Sequence, residues 1–198
     1  MIKALLIALF IFPTNPLVWA ECLGPLNANH FMVYLHGMDT VKPSPQEMNN
    51  RKVLKNIAGK LNLRIALPRA INKCPKDANQ ICWGWKFTDA GVEEVLKSSD
   101  SAIEECFPKA KKVGLLGFSN GGFAVNQIVK DCRTTNFDWF ISVAAGGSWN
   151  EESSRDLSKC GKIYMFAGKL DHQNFDSIKG FNIWLQKNKS DVKIIEYD

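Results

Sequence analysis

Short apolar runs alternate with stretches of helical spacing along most of this chain, and few folds accept that order. Phe31 to Leu35 is a continuous apolar run that reads as a strand buried on both faces, and Leu63 to Leu67 is a second, stopped by Pro68. Val113 to Leu116, Trp139 to Ala144, Ile163 to Phe166 and Val192 to Tyr197 read as four more. Helical stretches are expected from about Gln46 to Lys60, Asp89 to Cys106, Gly121 to Cys132 and Asn174 to Asn188. In the first of these, Met48, Val53, Leu54, Ile57 and Leu61 recur at helical spacing and are expected to form its core face. Strands that alternate with helices imply an α/β fold, with a mainly parallel sheet and helices on both faces. At 198 residues the chain fits one domain. Arg69 to Phe87, with its Trp83-Gly84-Trp85 trio, has no clear periodicity and is expected to be a long irregular loop.

Residues 1–20 read as a signal peptide, leaving 21–198 as the mature domain. Lys3 supplies the positive end, Ala4 to Phe12 the apolar run, and Val18-Trp19-Ala20 the cleavage site. The alternative is an uncleaved anchor, but the apolar run is too short to span a bilayer. Stable membrane insertion after cleavage is therefore not expected. The protein is expected to be secreted or periplasmic, and a monomer. Six cysteines follow the signal, an even number that suits disulfides in an oxidising compartment. Cys74 and Cys82 are the easiest local pair; the rest of the pairing is left open. A zinc site is disfavoured, because C-x-x-C spacing is absent and histidine is scarce. The formal net charge of +5 is spread along the chain, with acidic residues interspersed. No nucleic-acid partner is expected.

Gly117-Phe118-Ser119-Asn120-Gly121, followed by Gly122, lies between an apolar strand and a helical stretch. That context gives G-x-S-x-G its meaning, since a serine on a sharp strand-to-helix turn needs neighbours without bulk. The alternative reading makes Ser119 a helix cap. Upstream, Leu35-His36-Gly37-Met38 ends the first strong strand. The backbone N–H groups of Met38 and Asn120 are the expected oxyanion donors. Downstream, Gly168-Lys169-Leu170-Asp171 follows the fifth strand, where Asp171 could orient an imidazole; its alternative role is a turn aspartate or a helix cap.

Together these residues resemble the α/β-hydrolase superfamily. The His-Gly loop, the Gly-Phe-Ser-x-Gly elbow and the Gly-x-x-Asp loop are most similar to those of the small esterases. The Ser-Asn-Gly-Gly version is also similar to secreted polyester depolymerase and feruloyl-esterase relatives. The resemblance runs from Phe31 to Asp198. It implies Ser119 as nucleophile, Asp171 as triad acid, and the Met38 and Asn120 amides as oxyanion hole. It implies cleavage of a small or polymeric carboxylic ester through an acyl-enzyme, with no metal and no cofactor.

The resemblance also implies a histidine after the acid. Of the three histidines, His30 and His36 precede the serine, and His172 adjoins Asp171. His172 is a possible alternative base, although neighbouring side chains in such a loop generally diverge. The expected place for the base is the loop after the last strand. A C-terminal truncation that removes that loop and a final helix is therefore the expectation, with the chain as given inactive. The rival readings are a serine peptidase of the same fold and a secreted hydrolase-like binding protein without catalysis.

Overall fold

A computed structural model of the chain describes residues 20–40, 44–74, 82–133, 136–147 and 154–198. The signal-peptide reading falls outside the described residues, apart from Ala20. In chain order the elements begin with β1 (Glu21–Leu23), β2 (His30–Leu35), β3 (Asp39–Thr40), α1 (Pro45–Lys60), β4 (Leu63–Leu67), β5 (Asn72–Lys73) and β6 (Cys82–Gly84). They continue with α2 (Asp89–Cys106), β7 (Gly114–Phe118), α3 (Asn120–Lys130), β8 (Trp139–Val143), β9 (Lys162–Gly168), α4 (Phe175–Lys187) and β10 (Asp191–Tyr197). All six strands and all four helices expected from the sequence are present, with ends shifted by a few residues.

Seven strands form the main sheet in the order β1-β4-β2-β7-β8-β9-β10. Only β1 is antiparallel to its neighbour; the other six strands run the same way. Their carboxyl ends therefore share one edge, which also receives the loops that follow β2, β7 and β9.

Strand alternation sends paired residues to one face or the other. Val33, Leu115, Phe140 and Ile163 are register partners in series and point to one face, where all four are completely buried. That face packs against Val92 and Val95 of α2, Val125 and Ile128 of α3, and Ile178 and Phe181 of α4. The opposite face carries Met32, Tyr34 and Ile65, which pack with Leu54 and Ala58 of α1. Helices do lie on both faces, but in a ratio of three to one.

The buried side of α1 differs from the expected stripe. Leu54 is buried as expected, but its companions in the core are Glu47 and Ala58, while Met48, Val53, Ile57 and Leu61 are exposed. Polar contacts set this orientation. The Tyr34 hydroxyl donates to Glu47 Oε2 (2.9 Å), Asn50 Nδ2 donates to the Tyr34 oxygen (3.2 Å), and Arg51 Nε donates to Glu47 Oε1 (3.0 Å). Arg51 also pairs with Glu21 of β1. Burial raises the Glu47 carboxyl above its ordinary range, and the tyrosine and arginine donors oppose that rise.

The long loop expected over Arg69 to Phe87 contains two short strands. In a small antiparallel sheet of order β3-β6-β5, Asp39 pairs with Trp83 and Asn72 with Gly84. Three disulfides brace the domain: Cys22–Cys106, Cys74–Cys82 and Cys132–Cys160. The local Cys74–Cys82 pair is the one expected from the sequence. Among the described residues no helix is long and apolar enough to cross a membrane, and no group of metal-ligating side chains is found.

Candidate active site

Ser119 stands at the junction of β7 and α3 with φ 49° and ψ −114°. A non-glycine residue at positive φ carries a strain on the order of 1–3 kcal/mol, which the surrounding contacts must hold in place. Here the holding contacts are backbone ones. The Ser119 N–H donates to the Val143 carbonyl (2.9 Å), and the Ser119 carbonyl accepts from the Phe123 N–H (2.9 Å).

Two glycines let the turn close. A Cβ at Gly117 would stand 2.2 Å from the Gly121 oxygen, and one at Gly121 would stand 2.2 Å from the Leu35 oxygen. Any other residue at either position would push the serine off its perch. The alternative role as a helix cap is not adopted, since the Ser119 side chain makes no capping hydrogen bond. Its hydroxyl sits at the N-terminal end of α3, where unsatisfied N–H groups and the helix dipole favour negative charge.

The loop after β2 lies directly beside the elbow, for a Cβ built on Gly37 would be 3.5 Å from the Ser119 Cβ. Met38 follows and is 63% exposed, so this residue meets the solvent. His36 is buried, and both of its ring nitrogens are engaged. Nε2 accepts from the Ala70 N–H (3.0 Å), and Nδ1 lies 2.5 Å from the Gly37 carbonyl, which can only accept. The ring is thus the Nδ1–H tautomer, and burial lowers its pKa below the ordinary 6.5. It has no free lone pair to offer a hydroxyl proton.

Asn120, the first residue of α3, is fixed by its side chain. Its Oδ1 accepts from the Trp85 N–H (2.6 Å), and its Nδ2 donates to the Trp85 carbonyl (3.3 Å).

Asp171 lies in the turn after β9, two strands from β7, a lateral step of roughly 10 Å across a sheet. Its carboxylate accepts from the Asn174 N–H (3.3 Å) and from Asn174 Nδ2 (3.2 and 3.0 Å). The turn role weighed from the sequence is therefore real, and Asp171 nonetheless lies at the same sheet edge as Ser119. His172 is exposed next to it. Tyr197, the last residue of β10, is the register partner of Gly168, and its carbonyl accepts from the Lys169 N–H (2.8 Å). The end of β10 thus adjoins the Asp171 turn.

A parallel sheet whose central strand ends in a serine at positive φ, flanked by a glycine loop and an acid two strands away, belongs to a known architecture. The fold is that of the α/β-hydrolases. No family model matches the chain, and no curated protein matches it in sequence. Solved structures of this fold do. A carboxylesterase from Mesorhizobium loti superposes with a TM-score of 0.61 at 13% identity, covering 85% of this chain and 79% of that one. An esterase of Pyrococcus furiosus gives 0.59 at 11% identity, with 87% and 75% covered. A lipase-esterase related protein from Clostridium acetobutylicum gives 0.58 at 10%, with 92% and 90% covered.

Within this α/β-hydrolase frame, sequence reasoning missed one contributor. From the sequence Trp85 is only part of an irregular loop. It is 4% exposed, and its indole Nε1–H donates to the His36 carbonyl (2.9 Å). Nothing in the local sequence signals that bond, because its partner lies 49 residues away. A cavity of about 490 Å³, with Asp100, Glu104, Lys111 and Asp138 in its wall, opens at the opposite edge of the sheet near the start of β7.

Proposed function

We propose that this chain is an exported serine hydrolase that cleaves a carboxylic ester. The observation that carries the proposal is Ser119, held at positive φ between glycines at a helix N-terminus with no capping bond on its hydroxyl. Ser119 Oγ attacks the ester carbonyl and loses its proton to a base; the carbonyl becomes a tetrahedral oxyanion. The N–H groups of Met38 and Asn120 bind that oxyanion more strongly than the planar carbonyl. Collapse expels the alcohol, which takes the proton back from the base, and water then releases the acid from the acyl-serine. Asp171 keeps the basic imidazole in the correct tautomer and stabilises its charge. No metal or organic cofactor enters the reaction. Three disulfides support the reading that 1–20 is an export signal and that the domain works in an oxidising compartment.

The base is the remaining part. His36 is excluded by its tautomer and His30 by its place at the start of β2, on the sheet edge away from Ser119, which leaves His172 as the candidate within the sequence. An imidazole supplied after β10 would enter beside the Asp171 turn. The test uses the 198-residue chain with p-nitrophenyl acetate, with and without added imidazole, which substitutes for a missing base. The expected result is an acetyl adduct on Ser119, formed faster with imidazole and absent in Ser119→Ala. If His172 is the base, His172→Ala abolishes the reaction without imidazole and added imidazole restores it. No adduct under either condition overturns the hydrolase reading.

A second reading, a hydrolase-like binding protein, is favoured by the state of the histidines: His36 is sealed, and His172 is exposed beside an acid that already binds Asn174. Absence of the adduct would support it.

A further inference from the structure

The small sheet joins β3, which follows β2, to β5 and β6, which lie between β4 and α2, and the residues just after β6 make contacts that an ordinary connecting loop would not. β6 ends at Gly84, and Trp85 follows it into the interior, where it meets both segments that flank Ser119. On one side its main-chain N–H and carbonyl grip the Asn120 carboxamide at 2.6 and 3.3 Å, like one rung of a β-ladder. On the other, its indole N–H holds the His36 carbonyl at 2.9 Å, two residues before Met38. The His36 ring packs on the indole with centroids 5.2 Å apart and passes the restraint to Ala70 through Nε2.

Space at the contact is also controlled. A Cβ at Gly84 would be 3.1 Å from Asn120 Oδ1, so the carboxamide approaches this closely because residue 84 has no side chain. The hairpin that leads to Trp85 is closed at its loop end by Cys74–Cys82, and the Cys74 N–H donates to the Cys82 carbonyl (2.9 Å).

We infer that Trp85 is a positioning residue that locks the two oxyanion-donor segments, His36–Met38 and Asn120, to each other through one side chain and one peptide unit. The inference rests on the serine-hydrolase reading for its consequence in catalysis, but its geometric content stands apart. Oxyanion donors act only when both N–H groups hold their places before charge develops, and each segment by itself is a loop or a helix end. Among the described residues neither segment makes a direct hydrogen bond to the other; Trp85 bridges them.

Two readouts on the intact chain test this. The first is amide hydrogen exchange in Trp85→Phe, which keeps an aromatic ring and removes the indole donor. The probes are Ala70, bonded to His36 Nε2, and Phe123, bonded to the Ser119 carbonyl; Trp85 bonds to neither of these amides directly. Loss of one hydrogen bond predicts exchange faster by roughly two- to tenfold at both, with no change at Met165 in β9. Asn120→Ala should release Phe123 and leave Ala70 protected. Should Trp85→Phe fail to fold, Gly84→Ala displaces the same carboxamide and is expected to release Phe123. Unchanged exchange at Ala70 and Phe123 in folded Trp85→Phe overturns the inference, and so does uniform acceleration that includes Met165.

The second readout is acylation of Ser119 by an oxygen ester and by its thionoester, whose larger sulfur fits amide donors poorly. Trp85→Phe should slow the oxygen ester about tenfold and the thionoester much less, with KM little changed. Equal slowing of both overturns the catalytic role. If Ser119→Ala acylates as well as the parent, the hydrolase reading fails and the exchange result alone decides the structural claim.

Discussion

The two faces of the main sheet are built from the same alternating strands, yet they are finished differently. Leu115, Phe140 and Ile163 lie under three helices and are completely buried. Their immediate neighbours Leu116, Ile141 and Tyr164 point the other way and are only half-buried, for on that side α1 covers β4 and β2 and no described helix lies over β8 and β9. One face is held by dense apolar packing. The other has a smaller apolar cluster under α1 and adds a polar clasp, Tyr34–Glu47–Arg51–Glu21, that pins α1 and ties it to β1. Close packing loses both transfer energy and a cavity when a side chain is cut, whereas a half-open surface loses little. The stability of this domain should thus be strongly asymmetric across the sheet.

The sharpest way to break that comparison is a matched pair of truncations. Phe140→Ala should cost about 3–5 kcal/mol in urea unfolding, and Ile141→Ala, the next residue on the open face, about 1 kcal/mol or less. Equal losses would show that the second face is as tightly packed as the first.

Next in size is the clasp. Tyr34→Phe keeps the ring in place but leaves the buried Glu47 without its hydroxyl donor, a loss of about 1–3 kcal/mol. Burial and the adjacent Glu47 carboxylate push the Tyr34 phenol far above its ordinary range, so the hydroxyl stays a donor throughout the working pH range.

A pH effect follows from the same pair. Glu47 has a folded-state pKa raised above its ordinary 4.5, so the native chain binds its proton more tightly than the unfolded one. The stability this group adds is complete below pH 4.5 and is lost as pH rises through the raised value. His36 has the opposite linkage: its depressed pKa adds stability above pH 6.5 that is lost on acidification below that point. Unfolding of Glu47→Gln followed from pH 4 to 7 should lose the first slope and keep the second.

The smallest effect expected is on the outer side of α1. Val53 is 55% exposed, and Val53→Gln should change stability by no more than about 0.5 kcal/mol. A larger loss would mean that this side of the helix is covered in solution.

The same contrast separates what could be read from the chain and what could not. Wherever one local pattern met one environment, the reading held. Leu63–Leu67 is a strand between Asn62 and Pro68, Asp89–Cys106 is a helix capped by Thr88 and stopped at Phe107, and the Gly117–Gly121 turn needs its glycines for steric reasons internal to the turn. The pairing of Cys74 with Cys82 was legible because the loop is short. α1 was misread for the opposite reason. Its apolar stripe was longer than its buried side, and a tyrosine from β2 and a glutamate decided which side faced inward. The small sheet that holds Trp83 was invisible because its strands have only two or three residues each and Asp39 of β3, which pairs with Trp83, is far off in sequence.

The sequence by itself determined the alternating strands and helices, the glycine-bound turn at Ser119 and the supply of cysteines, because each depends on steric preference and periodicity over a few neighbouring residues. Only the tertiary structure decided which face of α1 is buried, that His36 is sealed in one tautomer, and that Trp85 joins the loop after β2 to the start of α3. Those outcomes depend on hydrogen bonds between residues 13 to 49 positions apart, and no local pattern along a chain encodes such a partner.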